Sequence, residues 1–471
     1  MLRKLLKGST CLAATVVIAS AAHTDASANG VYGPQPVTVK GYTGEKTNSV
    51  SYTGQTARYV LHDSLKKLAG KGDGGGNAAD IEAQMMSYLK GSDGDLEIIA
   101  PTGKDGFPVK QKTVNEISKG KNLEGKFYNG AMPAWPGDMT GREAVAHMVK
   151  HAAKSKSGFD AENGYDWAQI ISKFTLGAVS YSQAVDNYLD EKMQADNKPN
   201  GKPYKDGAYY TGKEHSWDEA FGYFGAAAHS ATLSADQNYA VAKMKDLAAA
   251  DANGDGVVDL KSEYVFGNAY YAAGADRSGL TDYMGTIMSA FVEGRNLIAS
   301  ANGENLSAEQ LAQLQQYAST ISSTWETVLA EATFKYAGSV YKDITKMKEA
   351  EGDDAKAEAY RAYVKHWGEL KGFAMALQTG KNNLGESAVK LNRLIGYGPV
   401  TADNSYVTGV DADGNFVRDR KRTWSDYQLH MLKVQKMLIN DMGVKARSND
   451  ATSNLAALAD KLESDANAET D

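Results

Sequence analysis

Long stretches in which apolar residues recur every three or four positions, almost never broken by proline, constrain this chain more than any other feature. There are only nine prolines in 471 residues. The run DWAQIISKFTLGAVSYSQAVDNYLDEKM (166–193) is apolar at Trp167, Ile170, Ile171, Phe174, Leu176 and Val179, and then at Tyr181, Val185, Tyr188 and Leu189. That spacing predicts a long helix buried along most of its length. The same pattern predicts helices over GQTARYVLHDSLKKLAG (54–70), over NAADIEAQMMSYLKG opened by Asn77 and closed by Gly91, and over TGREAVAHMVKHAAK. It further predicts helices from Ser262 and over 278–301, 307–347, 353–379 and 424–442. The 47 glycines gather in connections such as GKGDGGGN (70–77), and 395–423 reads as loop. The connections are too irregular for a minimal four-helix bundle. The expected class is therefore all-α, with eight or more helices in bundle-like layers sharing one core and joined by long loops. No fixed-period repeat is present, which argues against a solenoid.

The first 28 residues stand apart. Arg3, Lys4 and Lys7 precede the apolar run CLAATVVIASAA, and ASA at 26–28 supplies small residues before Asn29. This order is that of a secretory signal peptide cleaved after Ala28, which predicts a periplasmic or extracellular protein. The single cysteine, Cys11, would leave with it. A chain without thiols can use neither disulfides nor a zinc–thiolate site, so its stability must come from a core. Residues 29–50 read as a linker, 51–445 as the helical domain and 446–471 as a polar acidic tail. Net charge is -7 with the two signs interspersed, which argues against nucleic acid as a partner. No apolar run after the first reaches membrane-spanning length.

The stretch DANGDGVVDLKSE (251–263) carries oxygen ligands at alternating positions. Asp251, Asn253, Asp255 and Asp259 would supply side-chain oxygens, Val257 its carbonyl, and Gly256 the sharp turn of a helix–loop–helix calcium site. Val258 would anchor the loop in the core. The twelfth position, where a bidentate glutamate belongs, is Ser262, and Glu263 follows one residue late. An ion-free turn rich in aspartate, asparagine and glycine is the competing expectation. The related fragment DADGN (411–415) lacks glycine at the sixth place and reads as a turn.

Histidine–carboxylate pairs are the second ion signal. In GKEHSWDEAFGYFG (212–225), His215 shares a helix face with Asp218 and Glu219, and in KHWGELKGFAMAL His366 stands three residues before Glu369. Bundle cores that bind iron project such pairs inward from facing helices, and mixed imidazole and carboxylate suit iron or zinc. If His215, Asp218, His366 and Glu369 converge, they form a transition-metal site. If they do not, they are hydrogen-bonded interior groups. The run EAVAHMVKH (Glu143, His147, His151) has comparable spacing but reads as a solvated face.

Taken in order, GKEHSWDEAFGYFG, DANGDGVVDLKSEYVFG, STWETVLAEATFKY and HWGELKGFAMALQ resemble a family of exported bacterial proteins that carry a domain of unknown function. That family is in turn distantly similar to the imelysins. The resemblance spans about 50 to 400. It implies a helical, exported protein associated with iron acquisition, partnered by metal ions and by envelope proteins of an uptake system. The imelysin motif Gly-x-His-x-x-Glu is matched by His215, with Asp218 in the glutamate's place and Gly212 one residue too far upstream. Some imelysin-like proteins are described as metallopeptidases, but His-Glu-x-x-His is absent and no catalytic residue is assigned. A calcium-stabilised protein that presents some of its 26 tyrosines to glycan or to a partner protein is the other alternative.

Overall fold

The computed structural model describes residues 30–92, 94–380 and 384–458. The expected signal peptide and residues 459–471 of the expected tail lie outside them. Fourteen α-helices occur among the described residues. They are α1 (Thr53–Ala69), α2 (Ala78–Lys90), α3 (Val114–Ile117), α4 (Gly141–Lys154), α5 (Trp167–Thr175), α6 (Gly212–Phe224) and α7 (Ala235–Ala242). There follow α8 (Leu247–Ala250), α9 (Gly267–Asp276), α10 (Tyr283–Ser300), α11 (Ala308–Glu349), α12 (Asp353–Leu377), α13 (Glu386–Ile395) and α14 (Trp424–Met442). Helix accounts for 55% and strand for 5%, so the mainly helical class expected from spacing is the class observed.

Sequence signals set the helix ends. Thr140–Glu143, Thr211–Glu214, Ser234–Gln237, Ser307–Gln310 and Thr423–Asp426 each form a reciprocal cap at the start of α4, α6, α7, α11 and α14. In each, the first residue's hydroxyl accepts from the third backbone N–H, and the third side chain accepts from the first residue's N–H. Gly225 ends α6 in the left-handed region at φ +83°, a conformation that other residues adopt only with strain.

The 42-residue α11 is the axis of the fold; at 1.5 Å per residue it is about 63 Å long. Helices α9, α10, α12 and α14 pack along it, and α12 in turn packs on α5. Helix α1 joins α5, α6 and α2, and one continuous apolar cluster runs through all of these elements. The run expected as a single helix over 166–193 remains helical but changes pitch. After Thr175 the turns widen to π geometry over Leu176–Tyr181 and Gln183–Tyr188. Gly177 lies there against the backbone of Ala376, which brings α12 close to the widened turn.

Three segments depart from expectation. Residues 30–50 are not a free linker: Tyr32, Gln35 and Ser49 are buried, and the Tyr32 ring stacks on Phe221 with centroids 3.7 Å apart. The start of the expected tail also packs, because the backbone amides of Lys445, Ala446 and Arg447 all donate to the buried Glu331 carboxylate. The helix expected from Ser262 begins only at Gly267. Within 395–423, two-residue antiparallel pairs join Ser405–Tyr406 to Arg420–Lys421 and Gly409–Val410 to Phe416–Val417. The DADGN turn closes the second pair, with Asp411 accepting from the amides of Asp413 and Asn415.

The α5–α12 contact depends on glycine. A Cβ at Gly372 would stand 2.5 Å from the Lys173 Cβ, and one at Gly368 would stand 3.3 Å from the Gln169 Cβ. Gly372→Ala is expected to force these helices apart and to cost about 1–3 kcal/mol of stability in chemical denaturation. An unchanged denaturation midpoint would show that the contact gives without strain.

Candidate functional site

The stretch 212–225 builds a helix seat. Arg295 on α10 is fully buried, and its Nε donates to Asp218 Oδ1 at 3.0 Å. Its Nη1 donates to Glu214 Oε1 at 3.2 Å and its Nη2 to Ser49 Oγ at 2.6 Å. Asp218 also accepts from the Tyr32 hydroxyl at 2.7 Å and from the Ser51 amide at 2.8 Å. Burial pushes the Asp218 carboxyl up to about 6, against the opposing pull of Arg295, Tyr32 and Ser51. Lys213 donates to the carbonyls of Lys192, Gln194 and Asn197, and the Trp217 indole to that of Phe291. His215 lies between the rings of Tyr204 and Tyr210, with Nε2 3.7 Å from Glu219 Oε2 and with its buried Nδ1 lacking a hydrogen-bond partner. Gln55 donates to the other Glu219 oxygen at 2.8 Å.

His366 and Glu369 keep different company. His366 Nδ1 lies 2.5 Å from Asp343 Oδ2 on α11, and Glu369 Oε1 is 3.8 Å from Lys173 Nζ on α5. The structure thus pairs each expected ligand with a local partner and does not bring His215 and Asp218 together with His366 and Glu369. Among the described residues, no group of three or more His, Cys, Asp or Glu side chains is set to hold a metal ion. The reserve pair His147 and His151 is half-buried rather than solvated, since both rings pack on Phe416 of the small hairpin. Glu143 caps α4.

The acidic loop folds around its first carboxylate. Asp251 accepts from the amides of Gly254, Asp255 and Gly256, and Asn253 accepts from Asp255. Asp255 accepts from Val257, Asp259 from Lys261 and Gln111, and Glu263 from the Asp259 amide at 2.7 Å. Gly254 and Gly256 both have positive φ, where a side chain would be strained. Val258 is fully buried and pairs with Val109 in a single parallel bridge. Only α8, a single turn, precedes the loop, so the flanking helices of a full calcium hand are not formed.

A cavity of about 960 Å³ opens between α1, α5, α9, α11 and α12. His366 and Glu369 line it, but their company is cationic. Lys66, Lys67, Lys71, Lys173, Lys243, Lys335 and Lys365 face it, against only two carboxylates, Asp63 and Glu369. Tyr270, Tyr271 and Tyr336 supply aromatic wall. Tyr264–Gly267, which follow directly on the acidic loop, form another side. Lys173 is the deepest amine, its side chain 4% exposed, with a single acceptor in hydrogen-bond range, Gln169 Oε1 at 3.1 Å. Desolvation, reinforced by the neighbouring Lys66 ammonium, lowers it to about 7 despite Glu369. Desolvation also lowers Lys243.

Beyond Lys66, Lys67 and Lys71 the cluster is not local in sequence, because its other cations are spread from Lys173 to Lys365. One signal was available: Lys173 interrupts the buried stretch Ile170, Ile171, Phe174, where a charged residue needs a reason.

Fold and site together define a mainly helical protein with a lysine-lined cleft. The model of a domain of unknown function, DUF4856, matches residues 42–382, and the chain belongs to that family. The match takes in every cavity residue named above, the acidic loop and both histidine-bearing helices. No curated protein and no solved structure matches the chain.

Between pH 7 and 10.5 the folded Lys173 holds fewer protons than the unfolded chain, so stability rises with pH across that window. The buried Lys371, likewise lowered to about 7, contributes in the same sense. Lys173→Met is expected to flatten the slope of unfolding free energy against pH by about one proton per molecule. A slope identical to that of the parent protein would contradict the desolvated amine.

Proposed function

We propose that this protein binds a small anionic ligand in the lysine-lined cavity. One observation carries this reading: seven lysines, of which Lys173 is buried, Lys66 and Lys335 half-buried and the other four exposed, line an open cleft of about 960 Å³ with only two carboxylates, in a chain whose net charge is -7. Cations gathered around one cleft repel one another and raise its positive potential, which an anion bound there would offset. The volume suits a small molecule rather than a macromolecule, and the tyrosine walls favour anionic groups carried on an organic skeleton. Pyrophosphate serves as the generic probe. Calorimetry should show saturable binding that weakens with added salt, and Lys335→Ala should weaken it roughly tenfold or more, the worth of one charged hydrogen bond. Binding should tighten as pH falls through 7, with proton uptake near neutrality, because the protonated Lys173 is the form that attracts the anion. Absence of binding at low salt would end the proposal.

A structural calcium ion in loop 251–263 is the second reading. Its support is Gly256, which has positive φ at the sixth position where the calcium-loop pattern needs a sharp turn, and the buried Val258 that ties the loop to the core. Asp251, Asn253, Asp255, Asp259 and Glu263 would hold the ion, with Val257 offering its carbonyl. Calcium should then raise the melting temperature of chelator-treated protein, and Asp255→Ala should abolish that rise. Silence in both calorimetry and melting would remove the ion.

Export to the periplasm or cell surface, and distant kinship with the imelysins, belong to the same proposal. The leader pattern of residues 1–28 and the order of the four motifs support them. Iron or zinc acquisition through His215, Asp218, Glu219, His366 and Glu369 has a weaker footing, because Arg295 already occupies Asp218 and Asp343 already pairs with His366.

A further inference from the structure

Two buried lysines invite comparison. Lys371 donates to the Gly396 carbonyl at 2.6 Å and does not face the cavity, so its place is structural. Lys173 faces the cavity with one amide acceptor at 3.1 Å and no carboxylate closer than 3.8 Å. An ammonium has three donors, and Gln169 accepts one of this one's at 3.1 Å. Lys66 stands next to it, Tyr271 approaches with its ring centroid 5.9 Å away, and Glu369 waits just beyond hydrogen-bond range. Desolvation beside a second cation is the environment that frees a lysine lone pair for attack on carbonyl carbon.

We propose that Lys173 is a carbonyl-condensing amine and that the cavity holds an anionic aldehyde or 2-oxo acid as an imine. This rests on the anion-binding reading of the same cavity. In the condensation the Nζ lone pair adds to the carbonyl carbon and a carbinolamine forms. The carbon–oxygen bond then breaks, and both amine hydrogens leave with that oxygen as water. No electron is gained or lost, so no other reagent is needed. Glu369 stands within a short side-chain movement of Nζ and can carry the proton between nitrogen and departing oxygen. The ligand's anionic group is left to Lys66 and Lys335, which also draw it into the cavity.

The test uses the full chain at neutral pH with glyoxylate as the probe and cyanoborohydride to fix any imine, followed by intact mass and peptide mapping. The expected result is a single carboxymethyl group on Lys173, ahead of every other lysine, with Lys371 unmodified and with the reaction slowed several-fold by pyrophosphate. Lys173→Met, if it melts cooperatively, should lose the fast site. Mapping on the parent protein needs no variant, and so decides the matter even if that variant misfolds. Labelling spread over surface lysines with no preference for Lys173, in protein that binds pyrophosphate, overturns the amine alone. Preferential labelling of Lys173 that pyrophosphate leaves unchanged overturns the anion-binding reading and with it the ligand class. Neither labelling nor pyrophosphate binding overturns both.

Discussion

The buried guanidinium of Arg295 is the constraint on which the rest of this fold depends. Removing one cation and two carboxylates from water costs several kcal/mol per ion, and attraction offsets this only where the geometry is good and the remaining donors are met. Here Nε, Nη1 and Nη2 each have an acceptor, while Tyr32, Thr38 and the Ser51 amide take up the outer lone pairs of the carboxylates. Those partners come from α6, α10 and the extended segment before α1. Neither α6 nor α10 can leave without stranding a charge, and loss of the extended segment would strip hydrogen bonds from all three ions, so the polar cluster specifies one mutual arrangement where apolar packing alone would tolerate sliding. That is why Tyr32, Gln35, Thr38 and Ser49 are buried in a segment that is otherwise polar, glycine-rich and largely exposed.

The basic cavity follows the opposite rule. Around Arg295 opposite charges meet and are satisfied, whereas around Lys173 like charges gather with two carboxylates among them. Such a site weakens the empty protein, since Lys173 gives up hydration for a single amide acceptor. Folded proteins tolerate such local deficits mainly where function needs them, with the rest of the core supplying the margin. The long α11 and its four neighbouring helices provide that margin here, and α11 lines the cavity together with α9 and α12.

Spacing in the sequence was enough to find most of the helices, because buried faces repeat at the helical period whatever they pack against. Helix α11 was expected over 307–347 and runs over Ala308–Glu349. The role of the α6 carboxylates was not legible. Asp218 at the third position from His215 has the spacing of a metal ligand, but its actual partner, Arg295, lies 77 residues away in sequence. A helix face records which residues are neighbours on that helix and is silent about what the facing helix brings. His366 and Glu369 illustrate the same limit. They do line a site, yet its chemistry is set by lysines from α1, α5 and α11. The packed segment before α1 was missed because its burial rests on hydrogen bonds and one stacked ring, which leave no periodic trace.

The segment HWGELKGF shows why the architecture and the chemistry of the cavity are not separable. Gly368 and Gly372 flank Glu369 and lack the Cβ atoms that would hold α5 away. Their absence allows the α5 backbone close enough for Lys173 to reach the same cavity as Glu369. A larger residue at either glycine would open the gap between the amine and the carboxylate, rehydrate the amine and return it toward an ordinary lysine. The two glycines, which make no polar contact of their own, therefore control the protonation of the deepest group in the cavity. In this reading the helix contact is itself the device that tunes the site.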